Sequence, residues 1–269
     1  MSVLRVAGLQ TAGSPGQVQT NLDELDSSAA QAIAAGAGLL ITPEMFVTGY
    51  DIGEARVAEF AGLDLVGLVA QIAKRHGIAI LVGLPLGTDH GVVNAAVLID
   101  SSGVPLVAHS KTHLFGDLDR SMFIQGHTPV SMVEYSGVKI ALLICYDVEF
   151  PENVRAAALE GAHLVAVPTA QMEPFRFVAD HLIRVRAWEN QVYVAYINHI
   201  GQEGSTAYVG GSSICGPDGS VLAHADRDRA LIIADIDTEV VARGQMENPY
   251  LEDLRIEMFR GPDPQAGTA

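Results

Sequence analysis

A mixed α/β domain with sheets inside and helices outside is the fold class the sequence predicts, on three observations. Short runs rich in Val, Ile and Leu recur along the chain, and Ala-rich stretches with apolar residues at helical spacing fall between them. No linker, low-complexity segment or internal repeat divides the 269 residues. Strands that are apolar at every position need cover on both faces, so helices must lie over the sheets. One domain over residues 1–260 is expected, with a frayed tail over 261–269 (Gly-Pro-Asp-Pro-Gln-Ala-Gly-Thr-Ala).

The elements follow in order. Strands are predicted at Leu4–Leu9 and Leu39–Thr42, with a helix over Asn21–Ala35 between them. A second helix, Leu63–Arg75, leads into a strand at Ile78–Gly83. Strands Val92–Ile99 and Leu106–His109 are joined into a hairpin by the turn residues Ser101-Ser102-Gly103. Next come a strand at Ile140–Cys145, a helix at Glu152–Glu160 and a strand at Leu164–Pro168. The helix Phe177–Asn190 shows its period in Phe177, Leu182, Val185 and Trp188. Strands at Val192–Ile197, Ser212–Cys215 and Leu231–Ile236 complete the set, with Pro217-Asp218-Gly219 as a further hairpin turn.

Composition removes several functions. With 49% hydrophobic and 18% charged residues the chain is too apolar for disorder. Sixteen Lys and Arg against 32 Asp and Glu leave a formal charge of −16. The thinly spread basic residues cannot make the cationic footprint that nucleic acid or an anionic membrane requires. The longest uncharged stretch, Ser27–Pro43, reads as a helix followed by a strand and not as a membrane span. The N-terminus lacks the basic start and apolar block of a secretory signal, and two cysteines make no disulfide framework. A reducing, cytoplasmic setting is expected.

Three reactive side chains stand at the carboxyl ends of apolar strands: Glu44 after Leu39-Leu-Ile-Thr-Pro, Lys111 after Leu106-Val-Ala-His-Ser, and Cys145 after Ile140-Ala-Leu-Leu-Ile. Ligands collect outside strand carboxyl ends in α/β sheets, so these termini can share a site. Cys145 also precedes a helix start near Pro151. The helix dipole and a nearby lysine are both expected to push its thiol below the ordinary pKa of roughly 8.5. These groups suit acyl transfer: a thiolate attacks a carbonyl, Lys111 and the Tyr146 N–H steady the oxyanion, and Glu44 moves the protons. Taken singly, each residue has a plainer reading: a packed small hydrophobe for Cys145, a helix-start residue for Glu44, a solvated charge for Lys111. Cys215, in Ser-Ser-Ile-Cys-Gly, reads as core. His109, His113 and Asp117, four apart, would form a metal face on a helix, but Leu114-Phe115-Gly116 is a poor helix stretch, so no metal is expected.

At these residues the chain resembles the nitrilase superfamily of carbon–nitrogen hydrolases, on its amidase side. The resemblance runs through Val6-Ala-Gly-Leu-Gln10, Thr42-Pro-Glu-Met-Phe-Val-Thr-Gly-Tyr50 and His109-Ser-Lys-Thr-His-Leu-Phe-Gly-Asp117. It continues in Leu143-Ile-Cys-Tyr-Asp-Val-Glu-Phe-Pro-Glu152, Val167-Pro-Thr-Ala170, Arg186-Ala-Trp-Glu-Asn190, Asn198-His and Asn248-Pro-Tyr-Leu. It implies a single-domain four-layer αββα sandwich, a Glu44–Lys111–Cys145 triad without metal or organic cofactor, and pairing into a homodimer or higher oligomer. The family's second site glutamate falls at Asp119, one methylene shorter.

The resemblance also bears on substrate. Members acting on carbamoyl or keto acids often carry an arginine just after the Cys-x-Asp block, where this chain has Val148 and Glu149. A missing carboxylate clamp favours a small neutral or amine-bearing aliphatic amide. Arg176, in Gln171-Met-Glu-Pro-Phe-Arg176, is the candidate to replace the clamp, which would make the chain an ω-amidase acting on a 2-oxo acid amide. Cys-Tyr-Asp, where nitrilases carry Cys-Trp-Glu, points away from nitriles. Tyr50, Phe115, Tyr146, Met172 and Phe175 are the expected pocket walls.

Overall fold

A computed structural model of the protein describes residues 2–258. The domain boundary expected at 260 and the tail expected over 261–269 lie outside the described residues. Along the chain the strands are β1 Val3–Gln10, β2 Leu39–Ile41, β3 Ala79–Thr88, β4 Gly91–Ile99, β5 Pro105–Ser110, β6 Ser131–Tyr135 and β7 Val138–Leu142. They continue as β8 Leu164–Pro168, β9 Tyr193–Ile197, β10 Gln202–Glu203, β11 Thr206–Ala207, β12 Ser213–Cys215, β13 Val221–His224 and β14 Ala230–Asp237. The α-helices are α1 Val18–Ala34, α2 Glu54–Ala61, α3 Leu65–His76, α4 Gly116–Met122, α5 Pro151–Leu159, α6 Ile183–Asn190, α7 Thr238–Glu247 and α8 Tyr250–Asp253. A 3-10 segment, Cys145–Glu149, precedes α5, and a π turn, Val178–Leu182, runs into α6.

Two six-stranded sheets result, ordered β14-β1-β2-β3-β4-β5 and β13-β12-β9-β8-β7-β6. In each, three central strands are parallel (β1-β2-β3 and β7-β8-β9) and the flanking strands are antiparallel. Alternate residues explain the layering. Val6, Leu39, Ile41, Leu81 and Leu98 of the first sheet face Ile140, Leu142, Leu164, Ala195 and Ile197 of the second. The other face of the first sheet, with Leu9, Leu40 and Ile80, packs on Leu25, Ala29, Val69 and Ile72 of α1 and α3. The other face of the second, with Ala141, Val165 and Val194, packs on Val154, Ala157, Ile183 and Ala187 of α5 and α6. The expected α-β-β-α sandwich is present.

The differences from the sequence reading have local causes. The strand expected to reach Cys145 stops at Leu142, although Leu143 and Ile144 stay buried. These two side chains enter different clusters as the backbone leaves the sheet, so the apolar run outlasts the strand. Edge strands β6 and β13 escape a search for apolar runs because they are only half-buried or exposed. Helix α4 begins at Gly116, within the stretch read as poor for a helix; Asp117 and Asp119 in its first turn favour the positive dipole end.

Candidate active site

Glu44 and Lys111 follow β2 and β5 of the first sheet, while Cys145 follows β7 of the second, so the site forms where the two sheets meet. The seam is hydrogen-bonded: the Glu44 N–H donates to the Thr169 carbonyl at 3.3 Å, just past β8. Asp147 ties the Cys145 segment to the Lys111 segment. Its carboxylate accepts from the Thr112 hydroxyl at 2.7 Å, the His113 N–H at 2.8 Å and the Ile144 N–H at 3.2 Å. Burial alone would raise its pKa, but hydrogen bonds from His109, His113 and Thr112 hold it well below the usual carboxylate range.

Both His109 and His113 are therefore partners of Asp147, at 3.3 and 3.0 Å, and do not form a face with Asp117. Among the described residues no group of three His, Cys, Asp or Glu could hold a metal ion.

Lys111 is fully buried between two carboxylates. Its Nζ donates to Glu44 Oε1 at 2.8 Å and to Asp119 Oδ2 at 2.6 Å. Burial would lower its pKa, yet Glu44, Tyr50 and Asp119 outweigh that and hold it well above its ordinary value. An ammonium has three N–H groups, so one remains for another acceptor. Asp119 reaches Lys111 directly despite its shorter side chain, and is itself held by the Tyr50 hydroxyl at 2.7 Å and the Phe115 N–H at 2.8 Å.

Glu44 is held on every side but one. Asn94 Nδ2 donates to Oε1 at 2.6 Å, and His199 Nε2 donates to the Glu44 carbonyl at 2.7 Å. Oε2 is buried with no hydrogen-bond partner. Burial raises the Glu44 pKa, against the opposing charge of Lys111. The loop carrying it crosses β3 at Gly83, where a Cβ would stand 2.4 Å from the Pro43 carbonyl oxygen and 2.6 Å from the Met45 nitrogen. Only glycine admits that approach.

Cys145 occupies the left-handed region, with φ 46°, a strained conformation for a residue with a side chain. Its thiol is buried, and its pKa is raised, first by desolvation and then by the Glu44 carboxylate; Lys111, Thr169 and the Ala170 N–H oppose this. The expected lowering is thus reversed. Lys111 is already compensated by Glu44 and Asp119, and burial penalises the thiolate.

Cys145 also lines a narrow pocket, about 10 Å³ of cavity, with Tyr50, Phe115, Tyr146, Glu149, Gln171, Met172 and Phe175. All five predicted wall residues are there. Glu44, Lys111 and Asp119 are not in the lining, and Cys145 joins the two groups through its electrostatic coupling to Glu44 and Lys111. Arg176, the candidate clamp, is not among the lining residues; its guanidinium donates to Asp226 at 2.5 Å, Asp180 at 3.2 Å and the Val209 carbonyl at 3.1 Å. Arg176 sits in the turn before the π segment, where Asp180 and Asp226 are its carboxylate partners. Larger hollows elsewhere, including one lined by His181, Arg184 and Trp188, contain no cysteine.

The sequence reading missed Asn94, His199, Gln171 and Glu149 as site residues. Asn94 had a signal, being the one polar residue inside the apolar run Val92–Ile99. Glu203, which accepts from the Tyr50 and Asp51 N–H groups at 2.7 and 2.9 Å, had none, because it lies some 150 positions away.

Fold and site together define a cysteine hydrolase of carbon–nitrogen bonds. The carbon-nitrogen hydrolase family model matches residues 5–245, and the chain belongs to that family, within the amidase branch of the nitrilase superfamily. It is 46% identical over 263 residues to a "hydrolase in pqqF 5'region" of Pseudomonas protegens, covering 96% of this chain and 92% of that one. It is 33% identical to an (R)-stereoselective amidase of a Pseudomonas species (94% and 92% covered) and 30% identical to a 2-oxoglutaramate amidase of Bacillus subtilis (83% and 87%). A solved glutamate-to-glutamine mutant of an amidase from Nesterenkonia sp. AN1 superposes with a TM-score of 0.84 at 35% identity, covering 96% of each chain. In that structure the acetamide moiety of fluoroacetamide is covalently attached to the active-site cysteine.

Proposed function

We propose that the chain hydrolyses a small aliphatic amide to carboxylic acid and ammonia through a thioester on Cys145. The observation that carries this reading is the buried, unpartnered Oε2 of Glu44, a carboxylate whose charge acts on the Cys145 thiol and helps raise its pKa. Such a thiol rests protonated and needs a base at the moment of attack.

As Cys145 Sγ bonds to the amide carbon, its proton passes to Glu44 Oε2, and the carbonyl electrons become an oxyanion. The remaining N–H of Lys111 and the Tyr146 backbone N–H stabilise that charge. The tetrahedral species collapses as Glu44 returns the proton to nitrogen; the carbon–nitrogen bond breaks and ammonia leaves. Glu44 then takes a proton from water, which adds to the thioester; the carbon–sulfur bond breaks, and the proton returns to the thiolate. Asp119 acts through Lys111, fixing the ammonium, and is a positioning residue.

The tightness of the pocket, about 10 Å³ of cavity against Cys145, supports a small substrate over a drug-sized one. An ω-amidase needs a cation for the substrate's carboxylate, and its candidate, Arg176, is occupied. The same free-thiol chemistry suits a reducing, cytoplasmic setting, and both cysteines are unpaired. Half-exposed Leu159, Val185 and Trp188 on the adjoining helices α5 and α6 support pairing with a second copy, which light scattering behind gel filtration reads directly.

Ammonia release from propionamide, butyramide, a 2-oxo acid ω-amide and propionitrile, each beside Cys145→Ala, tests the activity. Turnover of the simple amides is expected. A preference for the oxo-acid amide would establish the ω-amidase instead, and release surviving in Cys145→Ala would overturn the mechanism.

A further inference from the structure

Glu149 is the charged side chain among those lining the pocket, and it shares one 3-10 segment with Cys145. Four residues at roughly 2 Å rise put about 8 Å of axis between the two α-carbons. No cation of the described residues forms an ion pair with it. Lys111 is committed to Glu44 and Asp119. Arg186 donates to the Val148 and Glu149 carbonyls and pairs with Glu189 at 2.8 Å, so it holds the backbone of this segment and not the Glu149 carboxylate. Arg176 is bound elsewhere. Charge around the pocket is therefore unbalanced: Glu44, Asp119 and Glu149 against Lys111.

Burial pushes the Glu149 carboxyl up, with a hydrogen bond to Gln171 and the charges of Lys111 and Arg186 only partly opposing it. Gln171 is itself engaged: its Oε1 lies 3.9 Å from Cys145 Sγ, and its Nε2 donates to the Phe175 carbonyl at 3.1 Å. A partly desolvated carboxylate without an ion-pair partner gains most from a ligand that brings a cation. The aromatic residues Tyr50, Phe115 and Tyr146 line the same pocket, and aromatic rings attract cations.

Resting on the amidase reading above, we propose that Glu149 is a specificity residue that binds a protonated amine on the substrate. The substrate class is then an amino-amide whose ammonium lies one or two carbons from the carbonyl. A carboxylate at the same place is repelled.

The test compares kcat/KM within two nearly isosteric pairs, at a pH where the amines are protonated: alaninamide with isobutyramide, and β-alaninamide with butyramide. In the wild-type enzyme the cationic member of at least one pair is expected to win by about tenfold, mainly through KM, and by less at high salt. Glu149→Gln should bring that ratio to about one. A wild-type ratio at or below one in both pairs overturns the proposal, as does a preference that Glu149→Gln retains. Should that variant not fold, inhibition of wild-type butyramide turnover settles the matter: propylammonium is expected to inhibit more strongly than propionate, and the reverse order overturns the idea. Cleavage of the neutral amides without an amine preference would leave the amidase reading intact while removing this one. Ammonia from none of the four would remove both.

Discussion

The chain carries two buried cysteines in or beside strands of the same sheet, and only one has the surroundings of a nucleophile. Cys215 ends β12, pairs across to Val194 and packs among Val165, Val194 and Ala187. Its nearest polar partner is the Ser213 hydroxyl at 3.7 Å. Cys145 lies three residues past its strand, at positive φ, lines a pocket, and feels the charges of Glu44 and Lys111. Burial raises the pKa of both thiols. A low thiol pKa therefore does not separate the two; access and a base with a free oxygen do.

The largest break in that comparison is expected from Cys145→Ala, which should reduce ammonia release to background and leave the melting temperature within a few degrees. Cys215→Ala should keep activity, at a stability cost of about 1 kcal/mol for the small lost volume. Alkylation mapped by mass spectrometry should mark Cys145 first; equal labelling of Cys215 would erase the contrast.

Glu44→Gln should lower kcat/KM by at least ~100-fold, the scale for removing an acid–base group. The pH dependence has a defined sign. Glu44 must be ionised to accept the thiol proton, and burial raises its pKa, so kcat/KM should fall with acidification already above the ordinary carboxylate range. A limb centred at an ordinary glutamate pKa would contradict the buried-base assignment.

Gly83→Ala touches neither thiol. Its Cβ would drive into the Pro43–Met45 backbone and displace Glu44, so a kcat loss approaching ~100-fold is expected while Cys145 still alkylates. Retained activity would mean that the loop tolerates the shift. Smallest is Asp119→Asn, which keeps an acceptor for Lys111 and removes the charge. About tenfold in kcat with little change in KM fits a positioning role, and a change confined to KM would argue for substrate contact instead.

Much of this was legible beforehand for a local reason. Leu39–Ile41, Ala79–Val82, Leu164–Val167 and Val192–Ile197 are apolar on consecutive positions because both faces of each sheet are covered. The Glu44, Lys111 and Cys145 blocks were legible because each follows such a run. Edge strand β6 and helix α7, with one wet face, left weaker signals. Asn94, His199 and Glu203 were hidden because their partners are distant in the chain.

By itself the sequence determined the layered α/β class, the order of the central strands along the chain and the three side chains at their ends, since alternation and burial are written locally. Tertiary structure alone decided three things. Lys111 lies between two carboxylates, the Cys145 thiol is raised and not lowered, and Arg176 turns to Asp226 while Glu149 enters the pocket. Each is a balance of desolvation against charges brought together from remote segments, and that balance exists only once the two sheets have closed on each other.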